Sequence, residues 1–300
     1  MKTRYWAILA VFFVQVFYGL NYTFAKDVMT GGFIKPFGFI LIRVGGAATL
    51  FWIFSFLGPK EKIDKKDFKT FVFAAFFGVE ANMLLFFKCL EYTTPIHASV
   101  IMITAPIIVL ILSSFYLQEK ITNIKVLGII FGFAGAAVLS IYGKSVNPAD
   151  HVLLGNIMVF LNATSYSIYI IVVKKLTTKY HPLTFIKWLF LFGFFMVIPF
   201  GYHEFTTIDF SSFTNYIWFC VAFVVICATF GTYLLNPLGL KYLKASTVTV
   251  FIYMQPLIAG IFAIIMKTDS LTSIKLLASS LIFLGVYLVT IKPKTKVVNA

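Results

Sequence analysis

The chain has 300 residues, of which 60% are hydrophobic, 18% aromatic and 12% charged, and its mean hydropathy is +0.93. A soluble domain carries about 25% charged residues, and a chain this apolar would expose too much hydrophobic surface to stay in solution. The composition therefore excludes an ordinary soluble enzyme or binding domain and predicts that lipid surrounds most of the protein.

Ten apolar segments follow one another along the chain, each bounded by charged or turn-forming residues. They comprise residues 5–25, 37–57, 68–88, 96–117, 124–142, 152–173, 183–201, 213–235, 245–266 and 273–291. A helix that crosses the hydrocarbon core needs about 20 apolar residues. The segments are too long and too uniformly apolar for the strands of a membrane barrel. The sequence therefore predicts an all-α polytopic membrane protein with ten transmembrane helices.

Lysine and arginine are distributed unevenly between the two sides that these helices define. With the N-terminus in the cytoplasm, 17 of the 25 basic residues lie in cytoplasmic segments and six in outer ones. Such an excess is the usual signal of orientation, so both termini are expected in the cytoplasm. The net charge of +14 then reflects topology. We expect no nucleic-acid partner, because the basic residues form no single patch.

The second part of each half of the chain repeats at a spacing of 150 residues. Between residues 84–141 and 234–291, 15 of 58 positions are identical, whereas about five identities are expected by chance in so apolar a sequence. Five spans in each half place the second copy upside down in the membrane. The sequence thus predicts two inverted five-helix repeats, residues 5–142 and 152–291, an architecture typical of secondary transporters.

Polar side chains recur at helical spacing in three predicted spans. The three stripes are Gln15, Tyr18, Gly19 and Tyr22; Asn162, Ser165, Tyr166 and Tyr169; and Thr229, Thr232, Tyr233 and Asn236. Each stripe lies on one helical face, and in lipid such a face turns toward the bundle interior. Two interpretations stay open: the stripes bond to neighbouring helices, or they line a transport pathway. The equivalent positions of the first two stripes favour the pathway.

Several positions along the chain follow a recognised family pattern. Residues 18–26, YGLNYTFAK, close the first span, and Arg43 lies in the second span. The first half then has Pro106, Glu119, Gly128, Gly132 and Gly135, and the second has Pro256, Asp269 and Gly285. Over about residues 5–291 this pattern resembles the EamA family of the drug/metabolite transporter (DMT) superfamily. The resemblance implies a ten-helix carrier that exports a small metabolite, often an amino acid, across the bacterial inner membrane by alternating access.

Ionisable residues inside membrane spans are costly and are functional candidates by default. Glu80 lies near the middle of the third predicted span, two positions before Asn82. It is a candidate for binding a coupling proton or a cationic group of the substrate, with a structural pair to Arg43 or a bond to a polar neighbour as the alternative. Arg43 is in turn a candidate for binding a substrate carboxylate through two hydrogen bonds, with snorkelling to the surface as the alternative.

Two prolines occupy equivalent positions in the two halves. Pro106 and Pro256 each remove a backbone hydrogen bond inside a predicted span, so both helices are expected to bend there. Tyr253 and Gln255 flank the second bend and are expected to face the pathway. The residues predicted to bind substrate or line the pathway are Gln15, Tyr22, Arg43, Glu80, Asn82, Asn162, Tyr166, Tyr169, Tyr233, Tyr253 and Gln255.

Enzymatic signatures are absent from the sequence. It has neither a GxxxxGK[ST] phosphate loop nor an HExxH zinc motif, and Cys89, Cys220 and Cys227 lack the spacing of metal ligands. We therefore predict no catalytic residue, metal or cofactor, and expect the lipid bilayer, a small-molecule substrate and protons as partners. A membrane-embedded enzyme acting on a lipid is the alternative. A sensor would carry a soluble output domain, for which every loop is too short.

Overall fold

The computed structural model describes residues 2–89, 92, 98, 101–141, 152–266 and 272–291. These residues form helices and short connections, and none of them lies in a β-strand. The helices, labelled in chain order, are α1 (Lys2–Thr30), α2 (Pro36–Phe54), α3 (Asp67–Cys89), α4 (Ala105–Tyr116), α5 (Asn123–Ile141), α6 (Val152–Lys179), α7 (Pro182–Thr206), α8 (Asn215–Tyr242), α9 (residues 245–265) and α10 (Ser273–Thr290). Short 3-10 turns comprise Ser55–Leu57 and Phe210–Ser212.

Eight of these helices are long and apolar enough to cross a membrane, whereas α4 and α5 are shorter apolar helices. The prediction of an all-helical, multi-pass membrane fold is confirmed, and the number of ten crossings stays a prediction. The first residues of the predicted segment 96–117 lie largely outside the described residues. Large apolar side chains cover the outer surface of the bundle, as expected where lipid is the solvent; Phe56, for example, is 86% exposed and Phe115 78% exposed.

The helices alternate in direction, so their connections meet at two opposite ends of the bundle. One end, here called the lysine-rich face, comprises residues 55–66, 117–122, 180–181 and 243–244. At this face Lys179, at the end of α6, pairs with Asp64. At the opposite face, Glu204 near the end of α7 accepts a 2.7 Å hydrogen bond from the backbone N–H of Phe37. This carboxylate stabilises the first turn of α2, where the helix N–H groups have no partner of their own.

Both halves carry the same kind of backbone irregularity, 150 residues apart. Helix α3 is widened to a π-turn over Phe76–Glu80, and α8 is widened in the same way over Ile226–Gly231. Helix α9 is interrupted by a 3-10 turn at Phe251–Tyr253, and in the first half a turn at residues 103–104 precedes α4. These matching departures from regular helix are the structural counterpart of the repeat in the sequence.

Glycines allow a close contact between helices α5 and α10. A Cβ atom on Gly285 would lie 2.5 Å from the backbone oxygen of Gly128 and 2.6 Å from the backbone nitrogen of Gly132. The two backbones therefore touch directly, as at the small-residue interfaces of membrane helices. Gly19 has a related role in α1, because a Cβ there would lie 2.8 Å from the Ile258 side chain of α9.

Candidate functional site

A cavity of about 130 Å³ lies in the bundle interior. Its polar lining residues are Tyr18, Asn21, Arg43, Asn82, Asn162, Tyr166, Tyr233 and Gln255, and its apolar ones are Met83, Phe86, Phe87, Met102 and Ile252. Asn82 lies about 22 Å along α3 and Gln255 about 15 Å along α9, both counted from the lysine-rich face. The cavity therefore extends from the middle of the bundle toward the opposite face, and both halves of the chain contribute to it.

Arg43 is the one basic residue among the described residues that line the cavity. The residue is buried, with 6% of its surface exposed. Its Nε donates a 3.2 Å hydrogen bond to Oγ1 of Thr229 in the π-turn of α8. The Thr229 hydroxyl in turn donates to the backbone oxygen of Val224, 2.7 Å away. This second bond fixes the orientation of the hydroxyl that accepts from Arg43. Among the described residues the terminal guanidinium nitrogens donate no hydrogen bond, and no carboxylate pairs with Arg43 or lines the cavity.

The π-turn of α3 supplies two backbone acceptors to other helices. A widened turn leaves carbonyl groups without their usual helical donor, and buried carbonyls need one. The Tyr233 hydroxyl of α8 donates to the oxygen of Gly78 at 2.5 Å, and the Ser165 hydroxyl of α6 donates to the oxygen of Phe77 at 2.8 Å. The polar stripes predicted on α6 and α8 thus bond neighbouring helices and border the cavity at the same time.

Side-chain amides tie the remaining walls of the cavity together. Gln255 Nε2 of α9 donates to Oε1 of Gln15 in α1 at 2.8 Å, and Asn162 Nδ2 of α6 donates to the backbone oxygen of Asn82 in α3. Two buried amide oxygens in the lining, Oδ1 of Asn21 and Oδ1 of Asn162, accept no hydrogen bond from any described residue. Both residues line the cavity, and both oxygens keep unused acceptor capacity.

Six of the eleven residues predicted to form the site line the cavity. They are Arg43, Asn82, Asn162, Tyr166, Tyr233 and Gln255. Gln15 lies behind them and contacts Gln255. The Tyr169 ring packs 5.7 Å from that of Tyr233, between the cavity and Gly78.

The other predicted residues lie apart from the cavity or outside the described part. Tyr253 is fully buried beside Gly132, at the 3-10 turn of α9. The side chain of Tyr22 lies outside the described residues. Glu80 ends the π-turn of α3, is partly exposed and does not line the cavity. Among the described residues it has no hydrogen bond or ion pair, so the pair with Arg43 is not present there.

The two prolines mark the beginning of helical segments after a break. Pro106 lies in the first turn of α4, and Pro256 lies in the first turn of Met254–Ile265, which follows the 3-10 turn of α9. In a first turn proline costs no helical hydrogen bond. Each proline is thus compatible with an interrupted helix, and the second interruption, which contributes Ile252, borders the cavity.

The eleven residues predicted for the site leave out the apolar part of the lining, one amide and Tyr18, which the sequence placed only in a polar stripe. Asn21 follows Tyr18 by three residues on the same face of α1, so helical spacing was a usable signal for it. Met83, Phe86 and Phe87 carry no such signal. In a membrane protein, an apolar residue that faces a cavity has the same character as one that faces lipid.

A buried polar cluster connects the two halves at the lysine-rich face. We call it the Glu119 cluster; it comprises Glu119, Lys125, Ala245 and Ser246. The Glu119 carboxylate accepts hydrogen bonds from the Ala245 backbone N–H at 2.7 Å and the Ser246 hydroxyl at 2.6 Å. Lys125 Nζ lies 3.3 Å from the same carboxylate and donates to Ser246 Oγ at 2.8 Å. The carboxylate therefore caps the start of α9 and holds it against the first half.

Comparison with known proteins gives a consistent result over the whole chain. The model of the EamA-like transporter family matches residues 5–141 and again residues 153–291. An uncharacterized transporter of Archaeoglobus fulgidus is 30% identical over 289 residues, 96% of this chain and 99% of the relative. The uncharacterized transporter YyaM of Bacillus subtilis is 23% identical over 91% of this chain and 89% of its own. A solved crystal structure shares the fold with a TM-score of 0.77 and 15% identity, covering 94% of this chain and 95% of that one.

Proposed function

Because the chain belongs to the EamA-like transporter family, we propose that it is a secondary transporter, which moves a small metabolite across the membrane by alternating access. The observation that carries this proposal is the cavity, whose polar lining comes from both halves of an otherwise apolar bundle. Sites at the interface of two repeats, near the bilayer midplane, are typical of such carriers. The volume of about 130 Å³ suits a small solute, since pockets for drug-sized ligands measure about 300–1,000 Å³.

Alternating access requires that one face be closed while the cavity communicates with the other. The Glu119 cluster and the buried first residues of α9, from Ala245 to Val250, lie between the cavity and the lysine-rich face. The cavity extends toward the opposite face. With the lysine-rich face in the cytoplasm, as the positive-inside rule predicts, this conformation is open to the outside. A rocking motion of the halves would break the Glu119 cluster and expose the site to the cytoplasm, from which an exporter loads.

Three further features complete the proposal. The protein crosses the bacterial inner membrane ten times, with α4 and α5 as short spans and with both termini in the cytoplasm. The two halves, residues 5–142 and 152–291, are related by inversion. Glu80 couples transport to protons: it stands in a π-turn, a type of turn found often at functional sites, and it has no charged partner among the described residues.

Uptake into liposomes that contain the purified protein tests this function. A labelled mixture of amino acids and small metabolites is offered with and without a pH gradient, and empty liposomes are the baseline. We expect saturable uptake that falls in Asn162→Ala, which removes an amide from the cavity wall. The matched control is Thr164→Ala on the same helix, whose hydroxyl bonds only to Phe160 within α6. Chemical conversion of a lipid without solute flux would favour a membrane-embedded enzyme and contradict the proposal.

A further inference from the structure

We propose that the transported solute is a small carboxylate, that Arg43 binds its carboxylate group, and that Asn21 and Asn162 accept hydrogen bonds from an adjacent N–H or O–H of the solute. This inference rests on the proposed function, because it identifies the cavity as the transport site. It names the chemical class of the substrate as an amphipathic amino or hydroxy acid with a small apolar side chain.

The charge of Arg43 is uncompensated among the described residues. Only 6% of the Arg43 surface is exposed. Burying a guanidinium is costly unless an anion and hydrogen-bond acceptors surround it. Among the described residues its one acceptor is the neutral hydroxyl of Thr229, and none of the residues lining the cavity is acidic. Glu80, the acidic residue of the neighbouring π-turn, makes no ion pair there. The missing counter-charge is therefore supplied by the ligand.

Part of the Arg43 guanidinium stays available to a ligand. Thr229 takes the Nε hydrogen, so the terminal nitrogens keep their donors for the cavity. A planar guanidinium binds a carboxylate through two parallel hydrogen bonds, and this geometry is specific as well as strong. A phosphate monoester brings nearly two negative charges, and Arg43 is the one cation among the described lining residues. The charge balance of the site thus favours a single carboxylate.

Two buried amide oxygens of lining residues have no donor among the described residues. Oδ1 of Asn162 belongs to a residue that is 1% exposed, and its Nδ2 is already committed to the backbone oxygen of Asn82. Oδ1 of Asn21 is likewise buried without a partner among the described residues. Buried acceptors left unpaired cost about 1–3 kcal/mol each, and a solute N–H or O–H removes that cost. These two oxygens select a solute that has a donor as well as a carboxylate.

One part of the cavity lining is apolar. Met83, Phe86, Phe87, Met102 and Ile252 form the rest of the lining. Methionine and aromatic side chains adapt to apolar groups of varied shape. A solute with a polar head at Arg43 and an apolar side chain at this wall matches the polar and the apolar parts of the lining. The volume of about 130 Å³ limits that side chain to a small size.

The test compares leucine, hydroxyisocaproate, leucinamide and glycerol phosphate, each labelled, for uptake into proteoliposomes. Wild-type protein should carry leucine or hydroxyisocaproate and exclude leucinamide and glycerol phosphate. Arg43→Gln should reduce that uptake at least about 30-fold, the factor that follows from removing one partner of a buried, hydrogen-bonded charge pair. The matched control is Lys187→Gln, since Lys187 lies over the ring of Trp52 and outside the cavity.

Thermal stability separates binding by Arg43 from a purely structural role. If the charge is uncompensated without ligand, the ligand-free Arg43→Gln protein should keep or raise its unfolding midpoint. The transported carboxylate should then stabilise the wild-type protein and not this variant. Arg43→Lys keeps the positive charge but lacks the planar, paired donors of the guanidinium. This variant should fold, and its apparent affinity for the transported carboxylate should fall at least about tenfold. Strong destabilisation of both variants without ligand would overturn the inference.

The outcomes distinguish this inference from the function on which it rests. Uptake of leucinamide or glycerol phosphate in preference to the carboxylates would leave the transporter standing and overturn the carboxylate class. Carboxylate uptake that is unchanged in Arg43→Gln would overturn the role of Arg43. Absence of uptake for all four solutes, with folded and inserted protein, would overturn the proposed function and this inference together.

Discussion

Replacing Glu119 with alanine should destabilise the folded protein far more than replacing its exposed neighbour Lys120. Both are charged residues of one short connection, but the Glu119 side chain is 7% exposed and accepts hydrogen bonds from the Ala245 N–H and Ser246. Removing one partner of a buried ion pair costs about 3–5 kcal/mol, because the other charge stays buried without compensation. Here that charge is Lys125, whose side chain is 10% exposed.

Thermal unfolding in detergent, at one fixed heating rate, measures this difference. An energy of this size corresponds to a fall in the unfolding midpoint on the order of 10 °C for a chain of this length. Glu119→Gln should show a smaller fall, since an amide oxygen still accepts from the Ala245 N–H while the charge is lost. Lys120→Ala should leave the midpoint nearly unchanged. Equal midpoints for Glu119→Ala and Lys120→Ala would refute the account of this cluster.

Three further substitutions have defined outcomes. Gly285→Ala should lower the unfolding midpoint, because the added Cβ would meet the backbone of α5. Gly260→Ala should leave the midpoint unchanged, because a Cβ there has no atom within 4 Å. Equal midpoints for the two variants would contradict the contact at Gly285. Tyr233→Phe leaves the Gly78 oxygen without its donor and should cost about 1–3 kcal/mol in detergent unfolding, against no change for Tyr202→Phe, a residue 61% exposed. Glu80→Gln should abolish uptake driven by a pH gradient while the protein still inserts; full retention of that uptake would discard proton coupling through Glu80.

The spans of this fold could be predicted because their signal is local. A membrane helix needs a run of apolar residues, and the run is visible without knowledge of any neighbour. The beginning of α2 at Pro36 and of α7 at Pro182 follows from proline's tolerance in a first turn. The predicted bounds differ from the observed ones mainly at α1, α6, α7 and α8, which extend beyond the predicted apolar segments.

The π-turns could not be predicted from the sequence. A π-turn leaves carbonyls that other helices must satisfy, and at Gly78 the donor is Tyr233, 155 positions away along the chain. No local pattern records such a partner. The Glu119 cluster has the same character, since Glu119 and Ala245 are 126 positions apart. The sequence shows only that Glu119 matches the family pattern. The structure shows that its carboxylate joins the two halves.

The polar residues of the site could be predicted from the sequence. Polar side chains inside a membrane protein avoid lipid, so a stripe such as Asn162 and Tyr166 must turn inward, and both line the cavity. This rule alone does not distinguish the cavity wall from other interior surfaces. Tyr253 is fully buried without lining the cavity, and Glu80 is partly exposed in the π-turn of α3.

Solute counterflow tests the central claim, transport by alternating access, most directly. Proteoliposomes are loaded with a high concentration of unlabelled leucine or hydroxyisocaproate and diluted into a trace of the labelled solute. A carrier that exposes one site to each side in turn predicts a transient accumulation of label above equilibrium, reduced in Arg43→Gln and preserved in Lys187→Gln. Label that rises only to equilibrium, without an overshoot, would indicate a pore and contradict alternating access.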